Sequence, residues 1–442
     1  MSESQTDRRS FLKQATAGTI AAPFFVRNLL SAPPSKTVRL GSFGGAGMAF
    51  VTLDMLCTHP SVKLACVADV DSARLDKLKA KYPDAKIYQD WREMLQKEHR
   101  NLDAVCVGTP DHMHAPIAMT SMAHKLPVYG QKPLAHDILE VRRLTETARK
   151  KKLVTQMGIQ IHSRTEYKTA TQLVQTGAIG KVKEVHSWSN KKWGDMDPLP
   201  NRVDTVPDTL NWDMWLGTAD KRPYIKDVYH PVNWRKRLDF GTATFGDMGC
   251  HIYDPVFSAL QLTAATSVRS EGPAPSVYSW SINAIVHYVF PGTPFTEGKT
   301  VRVTWYDGDA KPPQDVQALL AGRELPDQGS IFIGTKGVML LHHIGTPVLL
   351  PEKDFAGYAM PQIESVNHYH EFVDAVMGKG KTSTGFDYSG PLTEAVLLGP
   401  LSTRFPNTTL EWDAKKLRFD NTEASQFVRR IYRKGWEVKG LS

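Results

Sequence analysis

Between residues 36 and 158 the chain alternates apolar segments with amphipathic ones, and this alternation restricts its possible folds most strongly. The apolar segments read TVRLGSF, KLACVAD, LDAVCVG, LPVYGQK and LVTQMG. Helix-like stretches such as SARLDKLKAKY and ILEVRRLTETARKKK lie between them. Strands that alternate with helices at this spacing predict a parallel sheet with helices on both faces.

The first of these strands runs into a glycine-rich turn, GGAGMA, at residues 44–49. Read as GxGxxG, it carries alanine at the second and third glycine positions, where a small residue lets the backbone approach a pyrophosphate at a helix N-terminus. Asp69 ends the next strand, where a carboxylate bonds ribose hydroxyls and disfavours a 2′-phosphate. The pattern predicts NAD, with NADP possible because Arg74 is close in sequence; an ordinary strand–turn–helix is the alternative. The predicted contacts are Gly44, Gly45, Ala46, Gly47, Met48 and Asp69.

Two more segments follow strands at the same edge of the predicted sheet. GTPDHMHAP (residues 108–116) comes after LDAVCV, and GQKPL (residues 130–134) comes after PVY. Ligands of open α/β sheets bind at the carboxyl ends of the strands. Lys132 before Pro133 suggests a lysine held on a stiff turn at the cofactor edge, although a Lys-Pro pair alone is usually only a turn.

A third segment, TFGDMGCHIYD (residues 244–254), places Asp247 four residues before His251. Four residues are about one helical turn, so both side chains can share a face. A carboxylate beside an imidazole raises the pKa of the histidine and fixes its orientation, which suits a general acid/base. The alternative is that Asp247 caps a helix in which His251 is packed. A new helix starting at Pro255 would weaken the shared-face argument.

Composition excludes several other classes of protein. The chain has 442 residues, enough for two or three domains, and 41% of them are hydrophobic. Its net charge of +8 comes from scattered residues with small clusters at 149–152, 235–237 and 429–434, which we interpret as solvated faces without any nucleic-acid-binding motif. Cys66 and Cys106 lie in apolar strands and read as buried free thiols. Paired histidines at 112/114 and 342/343 lack further ligands, so no metal site is predicted.

The N-terminus resembles a targeting segment. DRRSFLK (residues 7–13) matches a twin-arginine export signal, an apolar stretch follows, and LSA ending at Ala32 fits a cleavage site. We therefore predict a signal peptide at residues 1–32, export by the twin-arginine machinery and a periplasmic protein. The apolar stretch is too short to remain as a membrane span.

Taken together in this order, GGAGMA, Asp69, TPDHMHA, QKP, TQMGIQIHS and GDMGCHIYD make the chain resemble the glucose–fructose oxidoreductase / inositol dehydrogenase / rhizopine-catabolism (Gfo/Idh/MocA) family over roughly residues 36–400. The resemblance implies an α/β protein with an N-terminal Rossmann domain, at 36–157. It also implies a C-terminal α/β domain, at 158–442, with a large open, mostly antiparallel sheet. Strand-like segments after Gly158 agree: KVKEVHSWSN, SINAIVHYVF, TVRVTWYDG, GSIFIGT and GVMLLHH.

The resemblance also implies catalytic roles by position. Lys132 matches the lysine of the family's EKP motif, with Gln131 in place of the usual glutamate. Asp247 and His251 match the acid–histidine pair that faces the nicotinamide. His251 would exchange a hydroxyl proton, Asp247 would orient it, and Lys132 would stabilise the alkoxide. The loop lining the nicotinamide side of the cofactor corresponds to Thr109, Pro110 and His114.

Substrate contacts are expected from three places. Gln160 and His162 point toward the cleft in the family. Trp193, Trp234 and Arg235 would suit a hydroxyl-rich ring, since aromatic rings stack on sugar faces and cations bond oxygens. Core packing is the alternative for each tryptophan.

These observations predict an NAD(P)-dependent oxidoreductase that acts on a hydroxyl carbon of a sugar, cyclitol or sugar derivative. Because the predicted compartment has no obvious supply of free NAD, we expect a tightly bound cofactor. The alternatives are an NAD-dependent, redox-neutral glycosidase resembling exported α-N-acetylgalactosaminidases, and a non-catalytic NAD-binding sensor. The family's sheet often joins subunits, so a homo-oligomer is expected.

Overall fold

A computed structural model describes residues 37–441 of the chain, so the predicted signal at residues 1–32 lies outside the described residues. The strands of the first sheet are β1 (Val38–Phe43), β2 (Val62–Ala68), β3 (Lys86–Tyr88), β4 (Ala104–Val107), β5 (Val128–Gly130) and β6 (Thr155–Met157). They pair in the order β3-β2-β1-β4-β5-β6, and every pair is parallel. This is the doubly wound order of a dinucleotide-binding domain, as predicted.

Helices connect these strands and cover the sheet. They are α1 (Gly47–Cys57), α2 (Asp76–Lys81), α3 (Trp91–Glu98), α4 (His114–Ala123) and α5 (Ile138–Lys151). All four residues of β4 are buried, as expected for a central parallel strand with helices on both faces. The sequence pattern missed β3, a three-residue edge strand in which Lys86 and Ile87 are exposed.

The strand order reverses between β1 and β4, which opens a crevice at their carboxyl ends. Small residues are required there. Gly44 has φ +96°, and a Cβ on it would lie 2.7 Å from the Cβ of Ala49. A Cβ on Gly108, directly after β4, would lie 2.8 Å from that same atom. Two glycines and one alanine thus let the turn after β1 close against the turn after β4.

The second sheet is nine-stranded. Its strands are β7 (Val182–Ser189), β8 (Ser267–Glu271), β9 (Ile285–Pro291), β10 (Thr300–Asp307), β11 (Gln328–Gly334), β12 (Val338–His342), β13 (Val348–Leu350), β14 (Thr409–Asp413) and β15 (Arg418–Phe419). They pair in the order β13-β12-β11-β7-β10-β9-β8-β14-β15. Among the neighbouring strand pairs of this sheet, in the described residues, β7 and β10 are parallel and the others are antiparallel. The prediction of a large, mostly antiparallel sheet is confirmed.

Eight helices of the described residues belong to this second half. They are α6 (Thr165–Gln175), α7 (Trp212–Leu216), α8 (Ala243–Ile252), α9 (Asp254–Leu260), α10 (Gln314–Ala318), α11 (His368–Val376), α12 (Phe386–Ser402) and α13 (Thr422–Ser425). The largely buried α12 packs against α5 of the first half as well as α8, and α11 packs on α1. The two halves therefore share an apolar core, which holds α8 firmly beside the first sheet.

Two of the basic clusters are only partly solvated, because each contains a buried arginine, which corrects the interpretation from sequence. Arg237 is buried and donates to Asp195 at 3.0 Å. Arg433 is also buried and contacts Asp213 at 2.7 Å. Burying a charge is costly unless it is paired, and both guanidinium groups have a carboxylate partner. The C-terminal segment is thereby fixed to the body of the protein.

The four cysteines are free, and Cys66 and Cys106 are buried as predicted. Within residues 37–441, no helix combines the length and apolar character needed to cross a membrane. The same residues contain no group of three or more His, Cys, Asp or Glu side chains placed to hold a metal ion.

Candidate active site

A cavity of about 1030 Å³ lies at the carboxyl ends of the first sheet's central strands. One wall is made by the turns after β1, β2, β4 and β5, and the opposite wall comes from residues 191–251. This volume is at the upper end for a ligand site and suits a ligand larger than one sugar ring. The sequence-predicted residues that line it are Gly44, Gly45, Ala46, Gly47, Met48, Asp69, Thr109, Pro110, His114, Gln131, Lys132, Gln160, Trp193, Trp234, Arg235, Asp247 and His251.

The outer part of the cavity has the features of a dinucleotide site. Helix α1 begins at Gly47, and Ala46 before it provides no side-chain cap. The first N–H groups of a helix have no partner inside the helix and carry the positive end of its dipole, so they suit a pyrophosphate. Gly47 has φ +56°, and a Cβ there would meet nothing nearer than the Arg74 guanidinium at 3.8 Å. The backbone is accordingly open to a phosphate.

Asp69 follows β2 directly and lies beneath this turn. Its carboxylate accepts the N–H groups of Gly45 at 2.8 Å and Asp71 at 3.0 Å, which fixes its position. Burial raises the pKa of Asp69, although both N–H groups act in the opposite direction. An acid held at the end of β2 beside a bare glycine turn fits the ribose and pyrophosphate of NAD.

We predict that the protein binds NAD at least ~10-fold more tightly than NADP, because the Asp69 carboxylate would repel a 2′-phosphate. Asp69→Ser should reduce this ratio. Titration of nucleotide-stripped protein with both dinucleotides, followed by tryptophan fluorescence, measures it. Asp84→Ser, at an exposed loop position, is the matched control. Equal or tighter NADP binding by the unaltered protein would contradict the prediction and indicate Arg74 as the phosphate partner.

Lys132 and Asp247 meet at the inner end of the cavity. Lys132, on the turn after β5, donates its Nζ to the backbone carbonyl of Asp247 at 2.6 Å and to Oδ1 of its carboxylate at 2.7 Å. The indole N–H of Trp193 donates to Oδ2 at 2.8 Å. Arg235 Nε and Lys191 Nζ approach the same carboxylate at 3.4 and 3.6 Å. Burial alone would raise the pKa of Asp247, but Lys132, Arg235 and Lys191 together hold it well below its usual range.

His251 lies one turn further along α8, with Asp247 on the same helix, and α9 begins only after it, at Asp254. The expectation that Asp247 orients His251 finds no hydrogen bond to support it among the described residues. The Asp247 oxygens accept from Lys132 and Trp193, whereas Nδ1 of His251 is buried without a hydrogen-bond partner among residues 37–441.

The expected raised pKa of His251 is wrong. Burial lowers that pKa well below its usual range, and the positive charge of Lys132 lowers it further; the opposing effect of Asp247 is smaller. The ring centroid of His343 is 5.7 Å away, and burial together with Lys191 lowers the pKa of His343 to about 4. The site therefore presents two neutral imidazoles near one lysine, and a neutral imidazole can accept a proton.

His162 does not line the cavity, which corrects the prediction that it contacts substrate. It follows Gln160 and Ile161 on one tight turn, and these two residues take the cavity side. The ring of His162 instead bonds the carboxylate of Asp254 at 2.8 Å, and the Tyr388 hydroxyl donates to that carboxylate at 2.6 Å. Burial opposes protonation, but Asp254 raises the pKa of His162 overall. This pair joins the turn to the start of α9 and has a structural role.

The remaining predicted residues connect the loops of the first sheet. The ring nitrogens of His114 lie 2.7 Å from the carbonyl oxygen of Thr109 and 2.8 Å from that of Pro133, so His114 links the turn after β4 to the turn that carries Lys132. Gln131 donates to the hydroxyl of Thr52 on α1 at 2.7 Å. The glutamine that replaces the family's glutamate is thus a positioning residue between β5 and α1.

Trp193, Trp234 and Arg235 form one cluster at the opposite wall. The guanidinium of Arg235 lies 4.3 Å from the ring centroid of Trp234 and 5.4 Å from that of Trp193. Sequence reasoning did not select several further lining residues, and four of them matter for the chemistry of the site. Lys191 precedes Trp193 by two residues, and His343 ends the strand-like segment GVMLLHH. The others are Trp215 and His230, for which the sequence gives no signal.

Comparison with known proteins identifies the class of this fold and site. The model of the oxidoreductase family with an NAD-binding Rossmann fold matches residues 39–159, and the model of that family's C-terminal alpha/beta domain matches residues 164–288. The chain therefore belongs to the Gfo/Idh/MocA oxidoreductase family and carries its NAD-binding Rossmann domain.

Among curated relatives, a myo-inositol 2-dehydrogenase of Thermotoga maritima is 26% identical over 190 residues, 42% of this chain and 54% of that protein. An alpha-N-acetylgalactosaminidase of Shewanella oneidensis is 25% identical over 203 residues, 40% of this chain and 44% of that protein. The chain spans about half the length of the curated relatives it matches. The WlbA dehydrogenase of Bordetella pertussis, solved with NADH and UDP-GlcNAcA, has the same fold, with a TM-score of 0.60, 13% identity, and coverage of 85% of this chain and 99% of that one.

Proposed function

We propose that the protein is an NAD-dependent oxidoreductase that acts on a hydroxyl-bearing carbon of a sugar, cyclitol or sugar derivative. The observation that carries this proposal is the meeting of Lys132, Asp247 and His251 at the inner end of the dinucleotide cavity. Each of the three has a chemical task that alcohol oxidation requires.

When bound, NAD supplies the nicotinamide ring that exchanges a hydride with the substrate carbon. His251 accepts the proton of the substrate hydroxyl through its neutral ring, and returns it in the reverse direction. The Lys132 ammonium stabilises the negative charge that develops on the substrate oxygen. Asp247 stays ionised and fixes the position of Lys132 through two hydrogen bonds.

The comparisons support this substrate class. A relative over part of the chain is an inositol dehydrogenase, and the WlbA dehydrogenase was solved with a sugar nucleotide. Trp193 and Trp234 provide aromatic surface next to a cation at the inner end, as a hydroxyl-rich ring requires.

We further propose that the cofactor is held tightly, because a segment from the second half covers the first sheet beside the glycine turn. This bridging segment, residues 209–232, runs across the end of β2. Thr209 accepts the N–H of Ser72 at 3.0 Å, and Asn211 donates to the carbonyl of Val70 at 2.9 Å. His230 contacts the Asp71 carboxylate at 2.8 Å and accepts the indole N–H of Trp215 at 3.1 Å.

These contacts support slow cofactor release, since His230, Trp215 and the glycine turn line the same cavity. In this proposal the contact between His230 and Asp71 opens when the dinucleotide leaves. The periplasmic location inferred from the N-terminal motif agrees with this proposal, because twin-arginine export carries folded proteins and could carry a loaded one. A homo-oligomer joined through the nine-stranded sheet remains part of the proposal.

We predict that the purified protein retains close to one nucleotide per chain through gel filtration, and that His230→Ala releases most of it. The substitution removes the contact to Asp71 and the acceptor of Trp215. Acid denaturation followed by mass spectrometry counts the nucleotide. His287→Ala is the control, because His287 is a half-exposed histidine on β9 outside the cavity. Equal retention by both variants would show that the bridging segment does not hold the cofactor.

A redox-neutral glycosidase is a second candidate function. Similarity to the alpha-N-acetylgalactosaminidase favours it. A second imidazole close to His251 also favours it, since the ring centroids of His251 and His343 are 5.7 Å apart. Elimination of a glycosidic group next to a transient ketone needs a second proton-transfer group besides the one at the oxidised hydroxyl. His343 is neutral, close by and bonded to the hydroxyl of Tyr167 at 3.1 Å.

One experiment separates these functions. The protein, purified without added nucleotide, is mixed with free sugars, cyclitols and their aryl glycosides. Reduction of bound nucleotide, read at 340 nm, with an oxidised sugar as product, supports the oxidoreductase. Multiple turnovers of glycoside cleavage without net nucleotide reduction support the glycosidase. Neither reaction with any compound, despite full nucleotide loading, would overturn both and favour a sensor.

A further inference from the structure

The inner end of the cavity carries more positive than negative charge. Lys132, Lys191 and Arg235 all direct their ion pairs to one carboxylate, that of Asp247. Within residues 37–441 none of the three cations has another carboxylate within 4 Å. Three cations around one paired anion leave an excess of positive charge near the point where the substrate would lie.

The neighbouring titratable groups reduce this excess but do not abolish it. Arg164 at the cavity wall is paired with Glu166 at 2.8 Å and adds no net charge. Asp111 also lines the cavity: its carboxylate accepts the hydroxyl of Thr242 at 2.8 Å, lies beside His114 and interacts electrostatically with Lys132 and Arg235, so it offsets part of the excess. His251 and His343 have lowered pKa values and are neutral near pH 7. The positive charge therefore resides on Lys191 and Arg235, once Lys132 is assigned to Asp247.

Lys191 and Arg235 are held only loosely by Asp247. Their nitrogen atoms lie 3.6 and 3.4 Å from the carboxylate, longer than a charge-assisted hydrogen bond, whereas Lys132 is at 2.7 Å. Lys132 and the Trp193 indole already satisfy the two Asp247 oxygens. The two outer cations are thus not needed as its ligands, and they retain donors for another anion.

Arg235 and Lys191 also differ from an ordinary surface ion pair in their exposure and packing. The Arg235 side chain is 21% exposed and lies against two tryptophan rings, which hold its planar guanidinium in place. Lys191, which lines the same cavity, is 41% exposed. A guanidinium packed against aromatic rings, beside a more exposed ammonium group, is suited to an oxyanion.

We infer that the substrate is an acidic sugar, whose carboxylate or sulfate ester binds Lys191 and Arg235 while its reacting hydroxyl lies at Lys132 and His251. This inference deepens the proposed function and rests on it. A neutral sugar would supply no anion to these two cations, so it should bind more weakly.

The test compares matched pairs of substrates on the nucleotide-loaded protein. The pairs are glucuronate with glucose, galacturonate with galactose, and galactose 6-sulfate with galactose. We expect kcat/KM to be at least ~10-fold higher for the acidic member of a pair, about 1.4 kcal/mol. The two acid types distinguish a carboxylate from a sulfate ester. Lys191→Met and Arg235→Gln should each reduce the acid-to-neutral ratio.

The neighbouring Lys192 provides a matched control, because it is paired with Asp309 at 2.7 Å and does not line the cavity. Lys192→Met should leave the ratio unchanged. A second readout is independent of turnover: calorimetric binding of the acidic sugar should weaken with added NaCl, and binding of the neutral sugar should not. Equal kcat/KM for acidic and neutral members overturns the inference alone, whereas no reaction or binding with any sugar overturns the proposed function.

Discussion

Replacing His251 by alanine is expected to lower turnover at least ~10²-fold without unfolding the protein, the usual effect of losing a positioned proton acceptor. His251 is buried at the inner end of the cavity, its Nδ1 has no hydrogen-bond partner among residues 37–441, and its pKa is well below the ordinary histidine value. Its ring is therefore neutral near pH 7 and available as a base. The rate at which the best substrate reduces the bound nucleotide, read at 340 nm, measures the effect, with thermal melting as the folding check.

The lowered pKa of His251 also predicts how the activity changes with pH. A base with a lowered pKa is active above that pKa and loses activity as the pH falls through it. We therefore expect full kcat/KM near pH 7 and an acid limb below pH ~6.5, the ordinary histidine value. The His251→Ala variant should lose that limb as well as the rate.

His124→Ala is the matched control, because His124 is an exposed histidine after α4. It should retain the rate and the acid limb. Near-native turnover in well-folded His251→Ala would remove His251 from the mechanism and leave His343 as the candidate base.

The parts of the structure that sequence reasoning predicted correctly are those with a local signal. The strands of the first sheet except β3 appear as apolar segments of regular spacing, and the motifs at 44–49, 108–116 and 130–134 each follow such a segment. Because the carboxyl ends of parallel strands share one edge, their placement around one cavity follows from the topology. Strand β3 was missed because three residues with an exposed lysine carry no periodic pattern.

The sequence-based predictions that were wrong concern contacts between residues distant in sequence. Asp247 and His251 are four residues apart, and their pairing seemed natural from spacing alone. In the structure Lys132, which is 115 residues away in sequence, lies 2.7 Å from the Asp247 carboxylate and competes with His251 for it. The sequence of the helix alone gives no sign of this competition. His162 was misplaced for a related reason, since one residue along a tight turn reverses the direction of a side chain. The bridging segment has no periodicity, so its position across β2 was unpredictable.

The same competition explains why the acid and the imidazole have separate tasks. An Asp247 bonded to His251 would favour the imidazolium, which cannot accept a proton. By pairing with Lys132 instead, Asp247 stays ionised and leaves His251 uncharged, and the lysine charge further disfavours protonation of the ring. Proton acceptance and oxyanion stabilisation are thus assigned to different side chains within one small volume.

Lys132→Met is expected to lower turnover at least ~10²-fold, because it removes the positive charge at the substrate oxygen. The variant should fold, since methionine has a similar length and Asp247 keeps Arg235, Lys191 and the Trp193 indole as partners. Lys63→Met, at an exposed position on β2 outside the cavity, is the control.

A pH profile distinguishes a direct role of Lys132 from general damage to the site. Lys132 lowers the pKa values of both His251 and His343 through its charge, so its removal should raise both toward ~6.5, the ordinary histidine value. The acid limb of the residual activity should then move to higher pH, because His251 becomes protonated at a higher pH than before. A reduced rate with an unmoved limb would mean that Lys132 does not act on His251 electrostatically. Near-native turnover with an unmoved limb would remove Lys132 from the chemistry altogether.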